Sequence, residues 1–166
     1  IATRLVIGAE GAQSQVRRQS GRGQTREQYE QHAFVCTVSY QGAQEDITWQ
    51  SFTPHGPIAF LPLSDVGDKH YASLVWYDSP DRIQQLMLME LDQLQATIEV
   101  NFPKRLGGIK SIQARASFPL RRLHAQRYVD EGVALLGDAA HQINPLAGQG
   151  VNLGFQDVAA FSQVIH

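Results

Sequence analysis

The sequence predicts two interleaved fold types: an antiparallel β-block carrying helices (α+β), set between pieces of an α/β layer. Three observations predict it. Four β-rich runs follow one another with only short turns between them. The hydrophobic period then changes from two to three or four residues, as in helices. Each end of the chain carries a short apolar run leading into a glycine turn and then helix, the pattern of α/β units.

Thr3–Gly8 is a short β-rich run, followed by a glycine turn and a helix near Ser14–Ser20. Gly21–Gln31 is polar with two glycines and reads as a loop. His32–Tyr40, Ile47–Thr53, Ile58–Leu63 and Tyr71–Tyr77 are the four strands, separated by QGAQED, TPHGP and SDVGDK. Pro62, between two leucines, marks a strand end or bulge. Ser79-Pro80-Asp81 supplies a helix cap, a proline at the first helical position and an acid in the first turn. That helix runs to about Met87, and a second spans Glu90 to about Asn101, with Leu91, Leu94, Ile98 and then Phe102 at three- and four-residue spacing. Ile109–Phe118 reads as a strand. Val133–Leu136 is fully apolar, as in a sheet covered on both faces. Val151–Ile165 closes as a helix.

Composition bounds the function. Of 166 residues, 43% are apolar and 18% charged, the profile of a globular domain. A net charge of −2 provides no basic field for nucleic acid. Arg17-Arg18 and Arg121-Arg122 read as solvated surface pairs. Cys36, the single cysteine, lies in an apolar run and reads as a core thiol. No run approaches the ~18 residues of a membrane-spanning helix. The first residues, IATRLVIGAEG, do not read as a signal peptide. No cluster reads as a metal site.

The chemistry concentrates in one stretch, GDAAHQINPLAGQGVNLGFQDV, after the apolar run at Val133. Asp138 would stand just past a strand tip, free to accept hydrogen bonds from a sugar or polyol hydroxyl. Gly148 and Gly150 would let backbone approach a ligand. A helix starting beside them would aim unpaired N–H groups at a pyrophosphate or a ring carbonyl. His141 reads either as an acid–base group or as a hydrogen-bond partner of the loop. Trp49, Phe52, Phe60 and Leu63 lie on sheet strands, where core packing is the default. His55 reads as exposed in its turn.

This stretch resembles the second FAD motif of the flavoprotein aromatic hydroxylases. RLVIGAEGAQSQVRR, residues 4–18, resembles the family's shorter motif, with Glu10 where that motif has Asp. TWQSFTPHGPIAFLPL, ASLVWYDSPDRIQQL and FPLRRLHAQRYV resemble the ubiquinone-biosynthesis branch. The family's opening strand–GxGxxG–helix unit has no counterpart, so the chain reads as an internal fragment.

The resemblance implies residues 1–29 and 119–166 as parts of a Rossmann-like FAD-binding domain and 30–118 as a substrate-binding sheet. It implies FAD as cofactor and NAD(P)H as electron donor, with an oxygen atom of O2 passing to the ring of a prenylated quinol. Gly137, Asp138, Pro145, Gly148, Gly150, Val151 and Asn152 would contact FAD, with Leu146 beside Pro145 and with Glu10 and Arg17 nearby. Phe60, Pro62 and Trp49 would border the substrate. The catalytic acid or base is not indicated. The fragment alone is expected to be inactive. The whole enzyme is expected to be cytoplasmic and peripheral at the inner face of the bacterial membrane, in a biosynthetic complex or alone. Two other readings remain: another flavoprotein on this scaffold, such as a halogenase (whose W-x-W-x-I-P segment is absent) or a prenyl reductase, and a non-catalytic binding module.

Overall fold

The computed structural model describes residues 2–43, 46–104, 107–145 and 148–165. They form two compact units. One is continuous, Glu30–Pro119; the other combines the residues up to Tyr29 with those from Leu120 onward.

The continuous unit is an antiparallel sheet covered on one face by two helices. Strands β2 (Gln24–Tyr40), β3 (Trp49–Thr53), β4 (Gly56–Val66), β5 (Lys69–Asp78) and β6 (Ile109–Ala125) lie in the order β3-β4-β5-β2-β6. Alternation decides the faces. Phe34, Cys36 and Val38 of β2, Ile58 and Phe60 of β4, and Ala72, Leu74 and Trp76 of β5 all point into one core. Helices α2 (Pro80–Leu88) and α3 (Leu91–Asn101) close that core with Ile83, Leu86, Leu94 and Ile98, each no more than 1% exposed. The Ser79 hydroxyl caps α2, accepting from the Arg82 N–H at 3.3 Å. Leu91, expected on the apolar face of α3, is 55% exposed because only Leu94 and Ile98 reach the sheet. Cys36 is buried, as its apolar neighbours imply.

Two strands are longer than their sequence suggests. Residues 24–31 form the first part of β2 and not a loop, and β6 continues past Phe118 to Ala125. The first part of β2 is almost wholly exposed, so it carries no alternating signal. Backbone pairing holds it, not burial. Pro62 sits within β4 opposite Ala72, and the ladder becomes irregular just after it, between Leu63 and Val66.

In the second unit, β1 (Val6–Gly8) pairs in parallel with β8 (Val133–Leu135), and β7 (Val129–Asp130) pairs with β8 on its other side. Helix α1 (Gln15–Gln19) packs on β1. The end of β6 pairs with β9 (His141–Gln142). A single 3-10 turn, Gly137–Ala139, follows β8, and α4 (Gly150–Ile165) ends the unit. Ala134 and Leu135 of β8 are each 1% exposed, as expected of its apolar run, whereas Val6 and Ile7 of β1 are 38% and 46% exposed.

Candidate cofactor site

The turn after β8 is the centre of the site. Gly137 has φ 56°, a backbone state that glycine enters without strain. It sets Asp138 on the surface, and among the described residues no group donates to the Asp138 carboxylate. A carboxylate held outward with nothing bonded to it fits a ligand hydroxyl. Ala139 and Ala140, on either side of the turn's end, are fully buried and anchor it.

Helix α4 approaches the turn closely. A Cβ on Gly154 would lie 3.4 Å from the Gly137 Cα, so two glycines let helix and turn meet. The Asp157 carboxylate then reaches the turn: its Oδ2 accepts from Gly137 N–H at 2.8 Å and contacts His141 Nε2 at 2.7 Å. His141 therefore bonds a carboxylate across the turn, not the loop backbone.

Gly148 has φ 61°, and a Cβ on Gly148 or Gly150 would meet nothing within 4 Å, leaving open space along the start of α4. The Gly148 N–H donates to the Pro145 carbonyl at 3.0 Å, and the Asn152 amide to the Gly148 carbonyl at 3.4 Å. Val151 is 66% exposed. The first N–H groups of α4 have no partner inside the helix and carry its positive dipole end. Leu146 lies outside the described residues.

The shorter motif is a scaffold around α1. One Glu10 oxygen accepts from the Ser14 hydroxyl at 2.9 Å and the Val16 N–H at 2.8 Å. Desolvation raises the Glu10 pKa, but these hydrogen bonds outweigh it, and the net shift is downward. Arg17 is not a solvated surface residue. It is 3% exposed, and its guanidinium donates to the Ala139 carbonyl at 2.6 Å and the Ala12 carbonyl at 2.7 Å. Burial, then the charge of Arg18, pull its pKa down; Glu10 opposes them. Arg122 is exposed, 3.7 Å from Glu27, as a surface arginine should be.

A cleft of about 380 Å³ opens beside His141, lined also by His124, Tyr128, Ile143 and Leu153. The Tyr128 hydroxyl is 2.7 Å from His124 Nδ1, and burial and then the Asp157 charge raise the Tyr128 pKa. Sequence reasoning missed Asp157 and Tyr128. The signal for Asp157 was present: Gly150, Gly154 and Asp157 recur at four and three residues, one face of α4.

The residues expected beside substrate belong to the continuous unit. Phe60 is 5% exposed and stacked on Trp49, centroids 5.6 Å apart and planes 7° apart. Both rings face the helix layer, with Trp49 half-buried, so they are spent on the core. Pro62 is half-buried in the same strand. Phe52, by contrast, is 78% exposed, and His55 is exposed in its turn. Among the described residues no group of three or more His, Cys, Asp or Glu could hold a metal ion, and no helix is long and apolar enough to cross a membrane.

An outward carboxylate, a glycine-lined helix start and a parallel strand pair define a cofactor-binding protein of the α/β kind. The sequence profile of the FAD binding domain family matches residues 1–165, and the chain belongs to that family. It is 54% identical over 165 residues to the 3-demethoxyubiquinol 3-hydroxylase of Escherichia coli (strain K12), covering 99% of this chain and 41% of the relative. It is 39% identical over 163 residues to a ubiquinone hydroxylase of Rhodospirillum rubrum, covering 98% and 37%. The chain thus spans about two fifths of the length of these relatives. Among solved structures, a probable FAD-dependent monooxygenase from Pseudomonas aeruginosa superimposes with a TM-score of 0.76 at 25% identity, over 96% of this chain and 45% of that one.

Proposed function

We propose that the protein is a flavin-dependent monooxygenase that hydroxylates the ring of a prenylated benzoquinol in ubiquinone biosynthesis, with NAD(P)H as electron donor. The observation that carries the reading is the Gly137–Ala139 turn: an exposed carboxylate without a protein donor, beside a helix start where two glycines leave room. FAD fits both. Its hydroxyls match Asp138, and a phosphate or ring carbonyl matches the N–H groups from Gly150 to Asn152. Glu10 and Arg17 hold the neighbouring backbone. When bound, the flavin supplies the redox chemistry that delivers oxygen to the ring. The chain positions the cofactor and shapes the substrate surface.

On the substrate side, the sheet face turned away from the helices is the better surface. Val35, Thr37, Ala59, Leu61, Ser73 and Val75 alternate with the core residues and are half-buried. Four of these side chains are apolar, and Thr37 and Ser73 add two small hydroxyls, a lining that suits a flat hydroxylated ring and an isoprenoid chain. A substrate of that kind resides in the bilayer, so the enzyme is read as peripheral at the cytoplasmic face, alone or with other biosynthetic enzymes.

The test is FAD titration and quinol-dependent oxygen uptake by the complete gene product. Asp138→Ala removes charge-assisted bonds worth about 1.5–3 kcal/mol, or roughly one to two powers of ten in FAD affinity. Apo-protein stability should barely change. Wild-type FAD affinity in Asp138→Ala, or a loss that follows collapse of the apo-fold, refutes the assignment.

A further inference from the structure

We propose that Asp157 is a positioning residue of this site, holding Asp138 in place for the cofactor; the inference rests on the flavin reading of the turn. One oxygen of Asp157 takes both Gly137 N–H, at 2.8 Å, and His141 Nε2, at 2.7 Å. Gly137 opens the turn, and His141 begins the strand that follows it. Asp138 lies between these two anchor points and has no hydrogen bond of its own among the described residues. Its direction is therefore set by its neighbours.

The same carboxylate ties the turn to α4, the helix whose first residues form the other part of the site. A carboxylate oxygen can only accept, and the backbone N–H can only donate. His141 must then donate from Nε2, which fixes the ring's protonation at that nitrogen and its orientation. Gly154, one helical turn before Asp157, is what permits the approach: its Cβ would stand 3.4 Å from the Gly137 Cα. The arrangement is a staple across the turn, with Asp138 as the stapled residue.

The experiment is a double-mutant cycle in the complete gene product, reading FAD dissociation constants beside apo-protein melting. Asp157→Ala should weaken FAD roughly tenfold. Asp157→Asn keeps an oxygen acceptor for the Gly137 N–H and should recover most of that loss. The double variant Asp138→Ala/Asp157→Ala should bind no worse than Asp138→Ala alone, to within about twofold, because Asp157 acts through Asp138. If Asp157→Ala melts too low to titrate, Asp157→Glu takes its place in the cycle, since it keeps the charge and displaces the oxygen by one methylene. Multiplied penalties in the double variant overturn the inference, as does unchanged FAD affinity in Asp157→Ala. If Asp138→Ala itself binds FAD like wild type, the flavin reading has failed and the inference falls with it. If Asp138→Ala weakens FAD but the penalties multiply, only the role of Asp157 has failed.

Discussion

Removing the Arg17 guanidinium should cost the apo-protein about 2–4 kcal/mol. The side chain is 3% exposed and donates to two carbonyls, Ala139 at 2.6 Å and Ala12 at 2.7 Å. Each hydrogen bond from a charged donor contributes about 1.5–3 kcal/mol, giving roughly 3–6 kcal/mol before offsets. Ordering an arginine costs about 1.5–2 kcal/mol of rotamer freedom, a cost that methionine shares and that therefore cancels in Arg17→Met. Burial of the charge also works against the native state, as the lowered pKa records. Arg17→Met is the best variant, because it keeps an apolar stem and removes only the fork. Arg17→Lys should recover part of the loss, since one ammonium cannot span two carbonyls as the planar fork does. The assay is urea unfolding of the apo-protein followed by circular dichroism, accepted only where the denaturant slope is unchanged. A loss below about 0.5 kcal/mol in Arg17→Met is the size of an ordinary surface substitution. It would refute the claim that this guanidinium holds the turn.

Phe60→Ala should destabilise by about 3–5 kcal/mol through the cavity left against Trp49 and Tyr40, whereas Phe52→Ala, at 78% exposure, should stay within about 0.5 kcal/mol; paired urea curves decide. Burial pushes the Cys36 thiol up to about 12, so the native state keeps its proton above the ordinary thiol range near 8.5 while the unfolded chain loses it. Stability should therefore fall with rising pH above about 8.5, by roughly 1.4 kcal/mol per unit from this group, and Cys36→Ala should lose that component of the slope. Glu10 titrates below its ordinary range, so its contribution is present above the unfolded value near 4.3 and lost as pH falls through the lower native value. Glu10→Gln should flatten that acid limb, read as melting temperature between about pH 5 and 3.

Much of the continuous unit was legible because its strands are half-buried and obey a period of two. The cap at Ser79 and the apolar spacing of Leu94 and Ile98 are equally local signals. Residues 24–31 were not legible, since an exposed polar strand held by backbone pairing has the composition of a loop. Arg17 looked like surface because its neighbours are polar; the carbonyl that buries it lies 122 positions away. Phe60 and Trp49 were placed on the right strands, but sequence alone does not say which sheet face the helices cover. The cofactor turn was readable from its glycines and Asp138. Asp157 was hidden because a helical pattern does not say which of its polar residues turns back onto a loop twenty positions earlier.

The pairing of β1 with β8 has a consequence for how the protein is made. Every residue of the continuous unit leaves the ribosome between these two strands. At ~5–20 residues per second, β1 waits on the order of ten seconds for its partner. The continuous unit can collapse in that interval, because it is one unbroken segment of the chain with its own core. Leu5, Val6 and Ile7 remain more than a third exposed even after pairing. Among the described residues β1 is the outer strand of its sheet, and until β8 arrives an unpaired apolar strand invites association with other nascent chains. Yield in a cell should therefore depend on translation speed and on chaperones that cover β1. Charged substitutions at Leu5 should raise soluble yield without touching the cofactor turn.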